Sequence, residues 1–162
     1  MLTKVKKSKP TRVSNARFAI VASKYNSEYV DAMVNAADAT LKNAGAAEVR
    51  VVRVPGAYEV PVVAARLARI ISPRCAAVIC LGVILRGETT HAQHIGEAVS
   101  QALALIQVET EVPVIHEVLL LENRQQAEIR CLDKNHNRGL EAAQTALEMA
   151  RIMNALDGKR RT

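Results

Sequence analysis

The stretch Ala76-Ala77-Val78-Ile79-Cys80-Leu81-Gly82 carries no charged or amide side chain at odd or even positions. A strand with one wet face alternates apolar and polar residues. One that is apolar on both faces must be covered on both sides, which is how central strands of parallel sheets read. In a parallel sheet that cover comes from helices in the crossover connections, which predicts that the rest of the chain alternates strand and helix.

It does. Residues 17–23, Arg-Phe-Ala-Ile-Val-Ala-Ser, read as a buried strand. Ser27 is placed to cap a helix running to about Ala44, with Val30, Met33, Val34, Ala37 and Leu41 on one face and Gly45 as its stop. Residues 48–54 form a second strand. Val54-Pro55-Gly56-Ala57-Tyr58-Glu59-Val60-Pro61 turns into a helix ending near Ile71, with Pro61 at an early position where its missing N–H costs little. After the third strand, 76–82, a long helix starts near Thr90 or His91 and ends before Glu109. Residues 113–120 make a fourth strand, Arg124 to Cys131 a short helix, and 138–156 a last helix with Leu140, Ala143, Ala146, Leu147, Ala150 and Met153 at helical spacing.

This order predicts a single α/β domain, a three-layer α-β-α sandwich on a four-stranded parallel sheet of flavodoxin-like type. Aromatic residues are only 2% of the chain, so the core must be built from Val, Ile, Leu and Ala. The predicted organisation is a disordered basic tail over 1–15, the domain over 16–156 and a second basic tail over 157–162. The formal charge is +6, but Lys4, Lys6, Lys7, Lys9, Arg12, Lys159, Arg160 and Arg161 lie at the ends, and without them the body is near −2. That distribution argues against nucleic-acid binding. Cys75, Cys80 and Cys131 form no C-x-x-C pair, which suggests a reducing compartment, and Cys75 and Cys80 read as small core residues. No secretory leader and no membrane-length apolar run is visible, so the cytoplasm is the expected location and no membrane the expected partner.

Ligands of open parallel sheets gather beyond the carboxyl ends of the strands. That rule selects 24–27, 55–59, 83–91 and 116–123. In the third segment Arg86-Gly87-Glu88-Thr89-Thr90-His91 sits at a strand-to-helix junction, where free N–H groups and the helix dipole favour an anion. A plain cap by Thr89 or Thr90 explains the threonines equally well, but neither Arg86 nor the histidine. His91, in the first turn, is suited to take or give a proton; a lone histidine is more often structural. His94 and Glu97 share its face, yet histidines at i, i+3 without a matching cluster do not make a metal centre. Tyr25-Asn26 offers a flat ring and an amide, or simply packing under a loop. Pro55-Gly56 leaves the backbone of 57–59 free to face a ligand, with Glu59 as an acceptor for a polyol or as a helix-dipole partner. Arg130, Lys134 and Arg138 would each balance a phosphate, or serve as surface charges. His116-Glu117 at the start of a buried strand needs partners, which points to a subunit boundary or a ligand.

Taken in order, these pieces resemble the 6,7-dimethyl-8-ribityllumazine synthase family. The matching stretches are Tyr25-Asn26, Val54 to Pro61, Leu81 to His91, Glu122-Asn123 with Gln126-Ala127 and Arg130, and Asn137-Arg138-Gly139 with Glu141-Ala142-Ala143 and Glu148-Met149, spanning about 17 to 155. The resemblance implies condensation of 5-amino-6-(D-ribitylamino)uracil with 3,4-dihydroxy-2-butanone 4-phosphate, releasing phosphate and water, without a cofactor or metal, as the penultimate step of riboflavin biosynthesis. It implies that Tyr25 and Asn26 meet the pyrimidine, that Ala57, Tyr58 and Glu59 hold the ribityl chain and ring, and that Val83, Ile84 and Leu85 line the pyrimidine edge. Glu88 and Thr89 would meet the phosphate with Arg130, and His91 would shuttle protons. His116 would come from a neighbouring subunit and close over the pyrimidine.

The chain departs from the family pattern at several of these places. Tyr25, Tyr58 and His116 stand where the family usually has Phe, Glu117 where it has a small residue, Leu120 and Leu121 where it has threonines, and Arg138 where it has lysine. Family members assemble as pentamers with sites between subunits, and the lack of an insertion near 131–139 favours closure into an icosahedral shell. Riboflavin synthase, which consumes the product, is an implied partner. The rival readings are a catalytically weakened shell protein and a flavin- or lumazine-binding module on the same fold.

Overall fold

The computed structural model describes residues 12–159. Its elements run β1 (Arg17–Ser23), α1 (Ser27–Asn43), β2 (Glu48–Val54), a 3₁₀ turn (Ala57–Glu59), α2 (Val60–Ala68), β3 (Ala77–Leu85), α3 (His91–Thr110), β4 (Val114–Leu121), α4 (Arg124–Ala127), a π-helical turn (Glu128–Leu132) and α5 (Arg138–Lys159). The strands form one parallel sheet in the order β2-β1-β3-β4. The expected three-layer sandwich is therefore present.

Strand pleating divides the core in two. Phe18, Ile20, Ile79, Leu81 and Ile115 pack under α1 and α5 with Val30, Met33, Leu41, Ala143 and Leu147. Ala19, Val21, Val78, Cys80 and Val118 pack under α2 and α3 with Val60, Leu67, Val99 and Leu103. All seven residues Ala77–Val83 are buried, as an all-apolar central strand requires.

Several boundaries differ from expectation. β3 continues to Leu85 instead of stopping at Gly82, because Val83, Ile84 and Leu85 pair with Leu119, Leu120 and Leu121. The helix expected to reach Ile71 ends at Ala68, and Ile71 is 88% exposed, so its apolar side chain marks no core position. Ser27 does not cap α1. Asn26 takes the position before it in a left-handed conformation (φ 55°), and its amide is spent elsewhere. Gly45 does stop that helix, at φ 89°. The helix expected from Arg124 to Cys131 is one α turn followed by the π-helical turn. α3 runs on to Thr110 and α5 to Lys159.

Of the segment 1–15 expected to be disordered, residues 1–11 lie outside the described residues, and so do 160–162 of the basic C-terminal tail. Val13 is buried, and its N–H donates to the Ala44 carbonyl at 3.0 Å. Among the described residues no helix is long and apolar enough to cross a membrane, and no three or more His, Cys, Asp or Glu gather as they would around a metal ion.

Candidate active site

Connections from β1 and β3 leave the sheet in opposite directions, β1 toward β2 and β3 toward β4. Crevices form at such a switch point, beyond the strand carboxyl ends. A cavity of about 890 Å³ lies there, lined by Tyr25, Asn26, Gly56, Ala57, Tyr58, Glu59, Val83, Ile84, Leu85, His91, His94, Ile95 and Ala98.

Three loops are stitched together around it by backbone and amide hydrogen bonds. Lys24 N–H donates to the Val54 carbonyl at 2.8 Å, and Tyr25 N–H to the Pro55 carbonyl at 3.3 Å, fixing the β1 exit against the β2 exit. Asn26 Nδ2 donates to the Val83 carbonyl at 2.8 Å, fixing it against β3. Gly56 lets the β1 and β2 exits close on each other: a Cβ there would stand 3.2 Å from Tyr25 Cδ2 and 2.9 Å from Glu59 Oε2, so that carboxylate would have to move. Gly56 N–H donates to the same Glu59 oxygen at 2.9 Å, so one carboxylate oxygen is anchored and the other is free for a ligand hydroxyl. Tyr25 and Tyr58 are 71% and 64% exposed, two rings held with little cover. Such rings suit a planar ligand.

His91 is the first residue of α3 and is exposed on the cavity wall. Its N–H reaches Thr89 Oγ1 at 3.4 Å, while Thr90, at the cap position, makes no side-chain cap bond. His94, Ile95 and Ala98 continue the wall one and two turns along the helix. Ile95 and Ala98 do not stand out in the sequence, although spacing of three, four and seven from His91 is the signature of one helix face.

The cavity thus gathers Tyr25, Asn26, Ala57, Tyr58, Glu59, Val83, Ile84, Leu85 and His91 from three strand ends and one helix start. It does not gather Glu88, Thr89, His116 or Arg130. Glu88 and Thr89 lie in the exposed β3–α3 connection. Arg86, which no cap explained, ties β3 to β4. Its N–H donates to the Leu121 carbonyl at 2.8 Å, and its side chain pairs with Glu122 at 3.0 Å.

His116 and Glu117 are the third and fourth residues of β4, not its start, and only 122–123 of the fourth rim segment lie beyond the strand. His116 points to the α3 side and is exposed. Ser100 Oγ donates to the Gly96 carbonyl at 2.7 Å, so it accepts from His116 Nε2–H at 2.8 Å. His116 Nδ1 accepts from Val118 N–H at 3.1 Å. This network selects the neutral Nε2–H tautomer. Burial lowers the pKa of the ring, in the same sense.

Glu117 points the other way, beneath α5, 3.5 Å from Arg138 Nε. Burial pushes its carboxyl up to about 7, against the opposing pull of Arg138. Arg138 also pairs with Glu141. Arg130, on the π turn, is near enough to favour the Glu117 anion. Its Nε and that of Arg138 are buried without a hydrogen-bond partner among the described residues. Cys131 beside them is buried, its thiol pushed up to about 12, so it is no nucleophile.

The family model for 6,7-dimethyl-8-ribityllumazine synthase matches residues 15–154. Proteins bearing that name include one from Xanthomonas campestris pv. campestris (strain B100), 40% identical over 147 residues, 90% of this chain and 94% of that protein. One from Xylella fastidiosa (strain 9a5c) is 40% identical over the same shares. One from Stenotrophomonas maltophilia (strain R551-3) is 40% identical over 144 residues, 88% of this chain and 92% of that protein.

Proposed function

The chain belongs to the 6,7-dimethyl-8-ribityllumazine synthase family, and on that premise we propose that the rim cavity is where it joins 5-amino-6-(D-ribitylamino)uracil to 3,4-dihydroxy-2-butanone 4-phosphate. The reaction is a group transfer on two small molecules within riboflavin biosynthesis. The observation that carries this assignment to the cavity is the convergence there of Tyr25, Asn26, Glu59 and His91, from segments far apart in the chain.

The uracil amine attacks the ketone, water leaves to give an imine, phosphate leaves from the carbon chain, and ring closure expels a second water. Two of these demands fall on the protein. The first is to hold both substrates together, which alone can supply a large part of the rate. Tyr25 stacks on the pyrimidine, with Asn26 beside it. Ala57 and Tyr58 present backbone groups to the ribityl chain, and the unanchored oxygen of Glu59 accepts from its hydroxyls. Val83, Ile84 and Leu85 set the pyrimidine edge. The second demand is proton transfer at the carbonyl and imine, the role of His91, worth roughly 10²–10⁴-fold.

The phosphate is met by the backbone N–H groups of Glu88 and Thr89 and the Thr89 hydroxyl at the α3 start, and by Arg130, whose charge also stabilises the departing phosphate. Arg130 and His116 are not on the cavity wall of their own protomer, so both serve the cavity of a neighbouring copy. The protein is an oligomer; the form proposed is the pentamer, with the closed shell of pentamers as its larger assembly. The exposed apolar side chains Val62 on α2 and Leu105 and Val108 on α3 support an extensive subunit contact.

Mixing the protein with both substrates and following lumazine absorbance and fluorescence tests this reading, with native mass spectrometry on the same sample for assembly size. Product formed over repeated turnovers supports it. A folded oligomer that makes no product rejects it.

A further inference from the structure

We propose that Glu117 is a positioning residue that exchanges with the substrate phosphate as counter-charge to Arg130 and Arg138, so that an oxyanion enters the subsite together with one proton. The inference rests on the assignment of Arg130 to the phosphate.

The geometry is that of a closed charge cluster with an unused capacity. Glu117 has only 13% of its side chain exposed, and its Oε2 lies 3.5 Å from Arg138 Nε, beyond hydrogen-bonding distance for a strong pair. Arg138 is bound more closely to Glu141 on its own helix. The groups facing Glu117 are Arg138 and Glu141 from α5 and Arg130 and Cys131 from the π turn. Its β3 register partner, Leu81, carries no charge, and His116 lies on the opposite face of β4. Two cations and two carboxylates therefore balance when Glu117 is ionised. Yet Arg130 Nε and Arg138 Nε remain buried and unpartnered among the described residues, two donors that the resident carboxylates do not satisfy. Such donors call for a further acceptor.

An arriving dianion supplies one and overloads the cluster with negative charge. The least costly relief is to protonate the carboxylate already poised for it, since burial holds the Glu117 carboxyl at about 7 while Glu141 adds repulsion. The proton comes from solvent, converts the Glu117 carboxylate to the carboxylic acid, and returns to solvent when the phosphate leaves. Binding and protonation are reciprocal, so lowering the pH must tighten anion binding.

Sulfate keeps a fixed charge across the neutral range and is the probe. Its binding to the intact oligomer is measured by calorimetry at about pH 6 and about pH 8, in buffers of different ionisation enthalpy. Expected are an affinity about fivefold or more higher at the lower pH, uptake of protons on binding, and loss of both effects in Glu117→Gln with sulfate still bound. The unmodified protein alone decides if that variant does not fold: pH-independent binding without proton uptake overturns the proposal. An unchanged pH dependence in Glu117→Gln overturns it as well, and assigns the proton to another group. Arg130→Ala separates the two levels. If sulfate affinity is unaffected there, or if sulfate does not bind at all, the phosphate assignment itself fails and the proposal with it.

Discussion

Replacing Gly139 with alanine tests how α1 and α5 meet. A Cβ built at Gly139 would stand 2.0 Å from the Met33 carbonyl oxygen and 2.6 Å from its Cα and carbonyl carbon. These are backbone atoms in the middle of α1, so no rotamer change relieves the clash. Ordinary contact begins near 3.4 Å, so the helices would have to part by about 1 Å or more. A radial gap of that size forfeits a quarter to a half of the dispersion energy of the surfaces it opens. Those surfaces include Val30, Met33 and Ala37 against Ala142, Ala143 and Ala146, all buried. The Asn137 hub would shift too: its Oδ1 accepts from Gly139 and Leu140 N–H at 2.9 and 3.2 Å, and its Nδ2 donates to the Cys131 carbonyl. Overpacking of this kind costs about 1–3 kcal/mol even where side chains can yield; with backbone on one side the loss should be about 3 kcal/mol or more. It should outweigh the ~0.5–1 kcal/mol that alanine ordinarily gains over glycine in a helix. Urea unfolding at fixed protein concentration, followed by circular dichroism, measures it. Gly158→Ala, with nothing within 4 Å of its Cβ, is the control and should be neutral or slightly stabilising. If Gly139→Ala unfolds within about 1 kcal/mol of the parent, the close crossing of α1 and α5 is wrong.

His91→Ala should lower kcat by roughly 10²–10⁴-fold with little change in substrate binding; an unchanged rate removes the imidazole from the mechanism. Arg130→Ala should raise KM for the butanone phosphate far more than for the uracil, and equal effects on both would count against a phosphate role. Asn26→Ala removes the tether to the Val83 carbonyl and places a Cβ-bearing residue without a local hydrogen bond at φ 55°, a conformation that costs about 1–2 kcal/mol. KM for the uracil should rise several-fold, and an unaltered KM would show that the loop keeps its shape without the amide. Glu117 ionises near 4.5 in the unfolded chain and at about 7 in the fold. The raised value means its contribution to stability is complete below 4.5 and lost as the pH rises through about 7, a swing of about 3 kcal/mol. Glu117→Gln should flatten that part of the stability profile, and an identical profile would place the proton elsewhere.

Most of the fold was legible because its periodicities are strong. β1 and β2 have the expected boundaries, and the burial of Val30, Met33, Val34, Ala37 and Leu41 follows the spacing that marked the α1 face. What was not legible depends on pairing across the chain. Gly82 reads locally as a strand end, but β4 pairs past it, and a Cβ there would stand 3.1 Å from Val118 Cγ1. Asn26 carries no local sign that its amide will reach Val83. α3 ends at a left-handed Glu111, φ 53°, where no glycine announces a stop. The π turn holding Arg130 follows from no spacing of residues 128–132. At the site, the loops at 25–26 and 55–59 and the helix start at 91 were readable from turn chemistry. The absence of His116 and Arg130 from the same wall was not, because strand order and facing decide it.

β4 lies at the edge of the sheet, paired with β3 alone through eight consecutive residues. Its pleat sends a neutral ring, His116, to one layer and a titrating acid, Glu117, to the other. Sliding that strand by a single residue would exchange them, burying an imidazole among arginines and turning a carboxylate toward Ser100. The alignment of one border strand therefore sorts the acid from the base, and the backbone ladder that fixes it closes with the Arg86 N–H on the Leu121 carbonyl.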